Sequence, residues 1–214
     1  HNPTISRRQR QMCIRDSKNT FEQFNIDLAN FHSTHSEENK ILTADIFKNA
    51  QDNGYIYKKN ISQLYDEKEG IFLADRFIKG SCPVCGAEDQ YGDACEKCGS
   101  TYDALELINP ISALSGSKPI IKESEHYFFQ LNKLSNFLKP NIKKISNQPP
   151  IEAKLNEWLD EDLRDWDVSR DEPYFGFNIP GENNKYIYVW MDAPVGYLAS
   201  IQNWAESLLS LIHI

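Results

Sequence analysis

The residues with most capacity for chemistry lie in one stretch, SCPVCGAEDQYGDACEKCGSTY, residues 81–102. It holds four of the chain's five cysteines, Cys82, Cys85, Cys95 and Cys98, in the pattern Cys-x2-Cys-x9-Cys-x2-Cys. Two residues between cysteines let one tight turn aim both sulfurs at a single ion. Gly86 and Gly99 follow the second cysteine of each pair, where a residue without Cβ can turn beneath a metal. Four thiolates at about 2.3 Å complete a tetrahedral zinc shell and leave no position for a reactive water. The spacing therefore predicts one structural zinc per chain, fastening a loop-rich knuckle too poor in apolar residues to fold without it. The alternatives are iron, two disulfides, or a redox pair. Disulfides suit a secreted chain with a wider cysteine framework. A redox Cys-x-x-Cys is normally single and opens a helix after a strand.

The 214 residues suffice for a core in one domain or two. The composition is that of a soluble protein, 40% hydrophobic and 25% charged. No apolar run approaches the roughly 20 residues that cross a bilayer, and no secretory h-region follows the polar N-terminus. A net charge of −8 argues against a strongly basic nucleic-acid module, though a local basic strip on an acidic protein can still bind RNA.

The elements that must position any site follow from patterning. FHSTHSEENKILTADIFKNAQDNG predicts an extended piece and then a helix. Its cap is a Thr34–Glu37 box, with Ser36 as the alternative, and Gly54 is the stop. Ile41, Leu42, Ile46 and Phe47 share a helical face. YIYKKNISQLYDEKEGIFLADRFIKG predicts small strands, and HYFFQL another. ISNQPP (145–150) is a breaker. IEAKLNEWLDEDLRDW is an amphipathic helix with Ile151, Leu155, Trp158, Leu159 and Leu163 at helical spacing. PYFGFNIPGENNKYIYVWMDAP predicts two strands about a turn at 180–184, the second ending at Pro194. A further helix from Val195 carries Tyr197, Leu198, Ile201 and Trp204.

The ends read differently. MCIRD (12–16) can be coded so that its reverse complement lies whole inside a coding of LSLIHI (209–214). Such an inverted pair resembles a transposon end used to cut sequencing libraries; the alternative is chance codon choice. Residues 1–17 and 209–214 are expected to be non-native, disordered tails, which makes Cys13 irrelevant and the native part a piece of something longer.

Four segments in order, FHSTHSEEN (31–39), FLADRFIKGSCPVCG (72–86), WDVSRDEPYFGFNIP (166–180) and KYIYVWMDAPVGY (185–197), resemble bacterial methionyl-tRNA synthetase. DQYGDACEKCG matches the zinc knuckle of that family's connective insert. The resemblance runs through nearly all of 18–204, and YVWMDAPVGY is its most specific part. It implies an α/β fold: a Rossmann-type class I synthetase catalytic domain split by the knuckle-bearing insert. Residues 18–54 would end the first Rossmann half, 55–185 would form the insert, and 186–208 would begin the second half. It also implies a cytoplasmic methionine–tRNA ligase acting on ATP with Mg2+, L-methionine and the methionine tRNA. Neither the HIGH nor the KMSKS segment of the family is found, so the chain alone is expected to be an inactive internal fragment. The rival is a free-standing structural zinc module that contacts RNA or protein.

The resemblance places Trp190, Ala193, Pro194 and Tyr197 around the methionine side chain, with Trp166 lining the same pocket. A thioether is polarizable and favours aromatic edges, which such a wall supplies. Trp190 and Tyr197 could otherwise simply fill core. Arg170 aligns with an arginine beside the reacting ATP and carboxylate, a task suited to an always-charged, two-donor grip. Its alternative is a surface salt bridge with Asp167 or Asp171. His32 and His35, three apart on an extended segment, do not face one metal and are expected to make local hydrogen bonds.

Overall fold

The computed structural model describes residues 16–146, 148–160 and 163–212. In chain order these form α1 (16–23), α2 (Glu37–Asp52), β1 (Ile56–Asp66), β2 (Ile71–Phe72), β3 (Ile78–Ser81), β4 (Gln90–Tyr91), β5 (Ile108–Ser112) and β6 (Ile120–Phe129). There follow α3 (Ser135–Ile145), α4 (Pro149–Asp160), β7 (Trp166–Asp167), β8 (Ser169–Asp171), β9 (Lys185–Ile187), α5 (Val189–Asp192) and α6 (Val195–Ile212). The fold is mixed α/β, as expected. Its strands form a four-stranded sheet of order β2-β1-β6-β7, a three-stranded sheet of order β4-β3-β5 and a β8-β9 pair.

Two compact units divide the chain. One holds the described residues up to Lys58, Tyr127–Arg170, and those from Tyr174 onward; the other holds Lys59–His126 with Asp171–Pro173. In the first unit Phe47, Ile56, Tyr127, Val168, Ile179 and Ile187 form the core, with Trp166 and Met191 packed against it. Phe47 meets Tyr127 edge-on at 5.5 Å between ring centroids. Burying such a side chain contributes about 1.5–3 kcal/mol.

Helix α2 begins at Ser36, whose hydroxyl accepts from the Asn39 amide at 3.2 Å. The alternative cap is thus the real one, and the Thr34–Glu37 box does not form. Gly54, at φ 71°, ends the helix, and the Tyr55 amide returns to the Ala50 carbonyl at 2.8 Å. The expected apolar face needs correction. Ile41 is 54% exposed and Ile46 is also exposed, whereas Asn39, Thr43 and Phe47 are buried. The buried stripe runs i, i+4, i+8, and two of its three members are polar.

Three more expectations change. β6 starts at Ile120, six residues before HYFFQL. No residue of α4 is buried, with Ile151 and Trp158 both exposed, and Leu163 is not helical. Helix α3 was not anticipated; it continues through Pro140 and buries Ile142. Of the expected disordered tails, 1–15 and 213–214 lie outside the described residues. Residues 16–17 are helical, within α1, and 209–212 continue α6, where no Gly or Pro follows Gly196 to stop the helix.

In the second unit Leu64, Leu73, Ile78 and Leu107 form the core. β1 turns into β2 antiparallel, pairing Tyr65 with Phe72. The turn is fixed by buried Asp66, which accepts from the Lys68 amide (2.9 Å), the Ser115 hydroxyl (2.5 Å) and the Ser117 hydroxyl (3.2 Å). Burial pushes this carboxyl up, but bonds from Ser112, Ser115 and the Glu69 and Lys68 amides outweigh that and bring it from 3.8 to about 2. A folded pKa below the unfolded one stabilises the fold above about pH 4, and that contribution is lost as pH falls toward about 2. Asp66→Asn is expected to cost roughly 2 kcal/mol at pH 7 and to flatten the acid limb of stability in that window. Urea titrations of both proteins from pH 2 to 7 measure it; parallel curves would reject it.

Candidate functional site

The knuckle hangs between β3 and β5. Cys82 follows β3 directly, with its amide bonded to the Ala87 carbonyl at 2.8 Å, and the Gly86 amide returns to the Cys82 carbonyl at 3.0 Å. The second half repeats this form. The Cys95 amide bonds the Ser100 carbonyl at 2.9 Å, and the Gly99 amide bonds the Cys95 carbonyl at 2.8 Å. Gly86 and Gly99 sit at φ 71° and 73° with open space where a Cβ would be. Backbone conformation, not crowding, is what calls for glycine at both places.

The four sulfurs lie within 4.8 Å of one another, and all four cysteines are free thiols. The cross-pairs Cys85–Cys95 and Cys82–Cys98 are separated by 3.6 Å and 3.9 Å. A tetrahedral ion with bonds of about 2.3 Å sets its sulfurs about 3.8 Å apart. Amides of Val84 and Cys85 point at the Cys82 sulfur, at 3.4 and 3.5 Å, and that of Cys98 points at the Cys95 sulfur, at 3.4 Å. Burial pushes the Cys82 thiol up, but these amides and Ser100 bring it down to about 6. The Ser100 hydroxyl lowers Cys98. Cys85 is pushed up to about 11: its bond from the Ala87 amide is outweighed by burial and by the three neighbouring sulfurs. Four sulfurs competing for protons, with donors aimed at them, suit a divalent cation that replaces those protons. The donor set thus fits a metal ion, and it is the one such group of described residues.

The two histidines do something else. His32 Nε2 lies 3.4 Å from Glu38 Oε2. The His35 ring packs on Phe175 and Phe177, at 4.9 and 5.7 Å between centroids. The His35 amide donates to the Ser33 hydroxyl at 3.1 Å, a local hydrogen bond of the kind expected for this segment.

The second cluster forms where β9 ends. Trp190 does not come off a strand end, as the sequence suggested. The strand stops at Ile187, Tyr188 caps α5, and Trp190 lies on that single helical turn. Among the described residues β9 pairs with β8, and its Tyr186 bridges Asn178 antiparallel. Ala193 ends α5, its amide bonding the Val189 carbonyl at 2.9 Å, and α6 begins at Val195. Trp190, Ala193 and Tyr197 are spaced by three and by four residues, across the turn at 193–194 that separates α5 from α6. Trp190 is 65% exposed and Tyr197 78% exposed, so neither fills core. Ala193 is half-buried between them in sequence, and Pro194 is exposed.

Trp166 and Arg170 meet at a residue that sequence reasoning did not single out. The Tyr188 ring receives the edge of Trp166 at 6.3 Å and the Arg170 guanidinium over its face at 3.7 Å. Arg170 also pairs with Asp167 at 3.3 Å, one of the two partners foreseen for it. Asp171 faces His126 instead, at 2.9 Å. The Tyr174 hydroxyl accepts from the Val189 amide at 3.3 Å and braces the start of α5. Burial pushes the Asp192 carboxyl up to about 6. Tyr188 stands inside the YVWMDAPVGY stretch, which was the available signal. The arrangement presents a cation backed by an aromatic face, and beside it in sequence an apolar, ring-flanked strip. It can take an anionic group and an apolar side chain.

Known proteins share this arrangement of elements. Two solved structures of Mycobacterium tuberculosis methionyl-tRNA synthetase with methionyl-adenylate superpose with TM-score 0.56, at 19% and 18% identity, covering 86% of this chain and 32% of theirs. The free-state structure of the enzyme from that organism gives TM-score 0.58 at 17% identity, covering 94% of this chain and 36% of that one. The chain therefore spans about a third of the length of these relatives. The family described as tRNA synthetases class I (M) matches residues 7–209, and the chain belongs to it.

Proposed function

We propose that the whole protein carrying this segment is a methionine–tRNA ligase. It would join the methionine carboxylate to the α-phosphorus of ATP, expelling pyrophosphate, and pass the methionyl group from the adenylate to the 3′ end of the methionine tRNA. The observation that supports this best is the exposed Trp190–Ala193–Tyr197 strip beside Tyr188 and its Arg170. A thioether offers polarizable contacts and no strong hydrogen bond, so an aromatic wall with a small residue between the rings suits it. Pro194 would hold the turn between α5 and α6, and Trp166 would line the pocket from β7. Arg170 would face the reacting carboxylate and phosphate, its guanidinium held in place by Asp167 and the Tyr188 ring. ATP would enter with Mg2+. Zinc on Cys82, Cys85, Cys95 and Cys98 would be structural, since four protein thiolates leave no site for substrate.

The isolated chain would not perform the reaction, because its sequence carries neither HIGH nor KMSKS. Among the described residues no helix is long and apolar enough to cross a membrane. The family match extends far beyond the knuckle, which disfavours a free-standing zinc module. The test is amino-acid-dependent exchange of pyrophosphate into ATP by the full-length protein, with methionine and each of the other amino acids. Exchange with methionine alone is expected; exchange driven by another amino acid, or none, would reject the assignment.

A further inference from the structure

We propose that Asn39, Thr34 and Gly196 are positioning residues that set the two sides of the methionine strip, an inference that rests on the function just proposed. Asn39 is fully buried, and a buried primary amide must place both donor hydrogens. Its Nδ2 donates to the Thr34 carbonyl at 2.7 Å and to the Asp192 carbonyl at 3.3 Å, while its Oδ1 accepts from Thr43 at 3.5 Å. One side chain on the first turn of α2 thus ties down the loop before that helix and the end of α5, more than 150 residues away. Thr34, held by that bond, meets α6. A Cβ built on Gly196 would stand 2.6 Å from the Thr34 methyl, a separation real atoms do not adopt, and 3.5 Å from its Cβ. Gly196 therefore lets the first turn of α6 lie against Thr34.

The anchored positions have a simple relation to the strip. Asp192 directly precedes Ala193, and Gly196 directly precedes Tyr197. Two of the proposed lining residues, Ala193 and Tyr197, are thus each the next residue after one that this device fixes. Beyond it α6 makes further polar contacts, Asn203 to Glu38 of α2 at 2.7 Å and Asn30, in the segment before α2, to the Ser200 carbonyl at 2.8 Å. This explains why two of the three buried residues of α2 are polar: Asn39 holds two backbone carbonyls and Thr43 donates to its Oδ1, which leucine and isoleucine cannot do.

The test uses the full-length synthetase, first shown to exchange pyrophosphate with methionine. Failure there rejects the parent function before any variant is compared. Gly196→Ala is expected to raise the methionine KM roughly 10- to 100-fold, the scale of a small misplacement of binding groups, and to leave the ATP KM near the parent value. Thr34→Ser removes only the methyl that the new Cβ meets. The double variant Gly196→Ala, Thr34→Ser should return the methionine KM to within about twofold of the parent, a rescue that general loosening of the fold does not produce. An unchanged methionine KM in Gly196→Ala overturns the proposal. If that variant does not fold, the double variant decides: folded with a parental KM it supports the device, and unfolded or with a raised KM it overturns it.

Discussion

Removing the metal from the knuckle should unfold residues 81–102 while α4 stays helical. Purified protein is expected to carry one zinc per chain, and Cys95→Ser to lose it. Cys95 is buried with Cys82, and between Ile78 and Leu107 these two sulfurs are the only side chains of the knuckle counted in the buried apolar core. Val84, the largest aliphatic side chain between them, is exposed. Area burial therefore cannot hold the loop; the ion must. Structural zinc in small peptides contributes on the order of 10 kcal/mol, which is folding free energy when no site preexists in the unfolded chain. Hydrogen exchange should show loss of protection at the Cys82, Gly86, Cys95 and Gly99 amides, whose partners lie inside the knuckle. The core of Phe47, Ile56, Tyr127, Val168, Ile179 and Ile187 lies in the other unit and should stay protected. Protein that contains no metal, with all four thiols in disulfides, would sink the assignment.

The knuckle could be read from sequence because its determinants are local. Two residues between cysteines and a glycine after each pair specify the turn without help from the rest of the chain. The end of α2 was legible for the same reason, Gly54 by its left-handed backbone, while at its start Ser36 was only the alternative to the Thr34–Glu37 box. The inside of that helix was not. Ile41 and Ile46 obey the helical period, yet they lie exposed, while Asn39 and Thr43 are buried. Periodicity counts apolar side chains. It cannot see that a long-range carbonyl, such as that of Asp192, needs a buried donor. Trp190 shows a related failure. KYIYVW has the composition of a strand, but Tyr188 is an N-cap and the chain turns helical at Val189, one residue before the tryptophan. Tertiary bracing from Tyr174 overrides β-propensity there.

Replacing Ala193 by leucine tests the strip most directly. Ala193 is the smallest of its expected lining residues and stands in sequence between two exposed rings, at the turn that separates α5 from α6. Its backbone is already satisfied: the amide donates to Val189 at 2.9 Å, and the carbonyl accepts from the Gly196 amide at 3.1 Å. Leucine is a good helix former and leaves both bonds in place, so the change acts through volume alone. Ala193 is only half-buried, which leaves the added atoms free to extend outward without repacking a core, and the melting temperature should barely move. Those atoms would occupy the space proposed for the thioether. Loss of such contacts is worth roughly 1–3 kcal/mol, or about 10- to 200-fold in discrimination. In the full-length synthetase the methionine KM should rise by that factor and the ATP KM stay nearly constant, because Arg170 and Tyr188 are untouched. The contrast with Gly196→Ala is informative: that clash is relieved by trimming Thr34, whereas the effect at Ala193 should not be, since leucine there competes with substrate and not with protein. Equal methionine KM values for the parent and Ala193→Leu would mean that Ala193 does not line the methionine site.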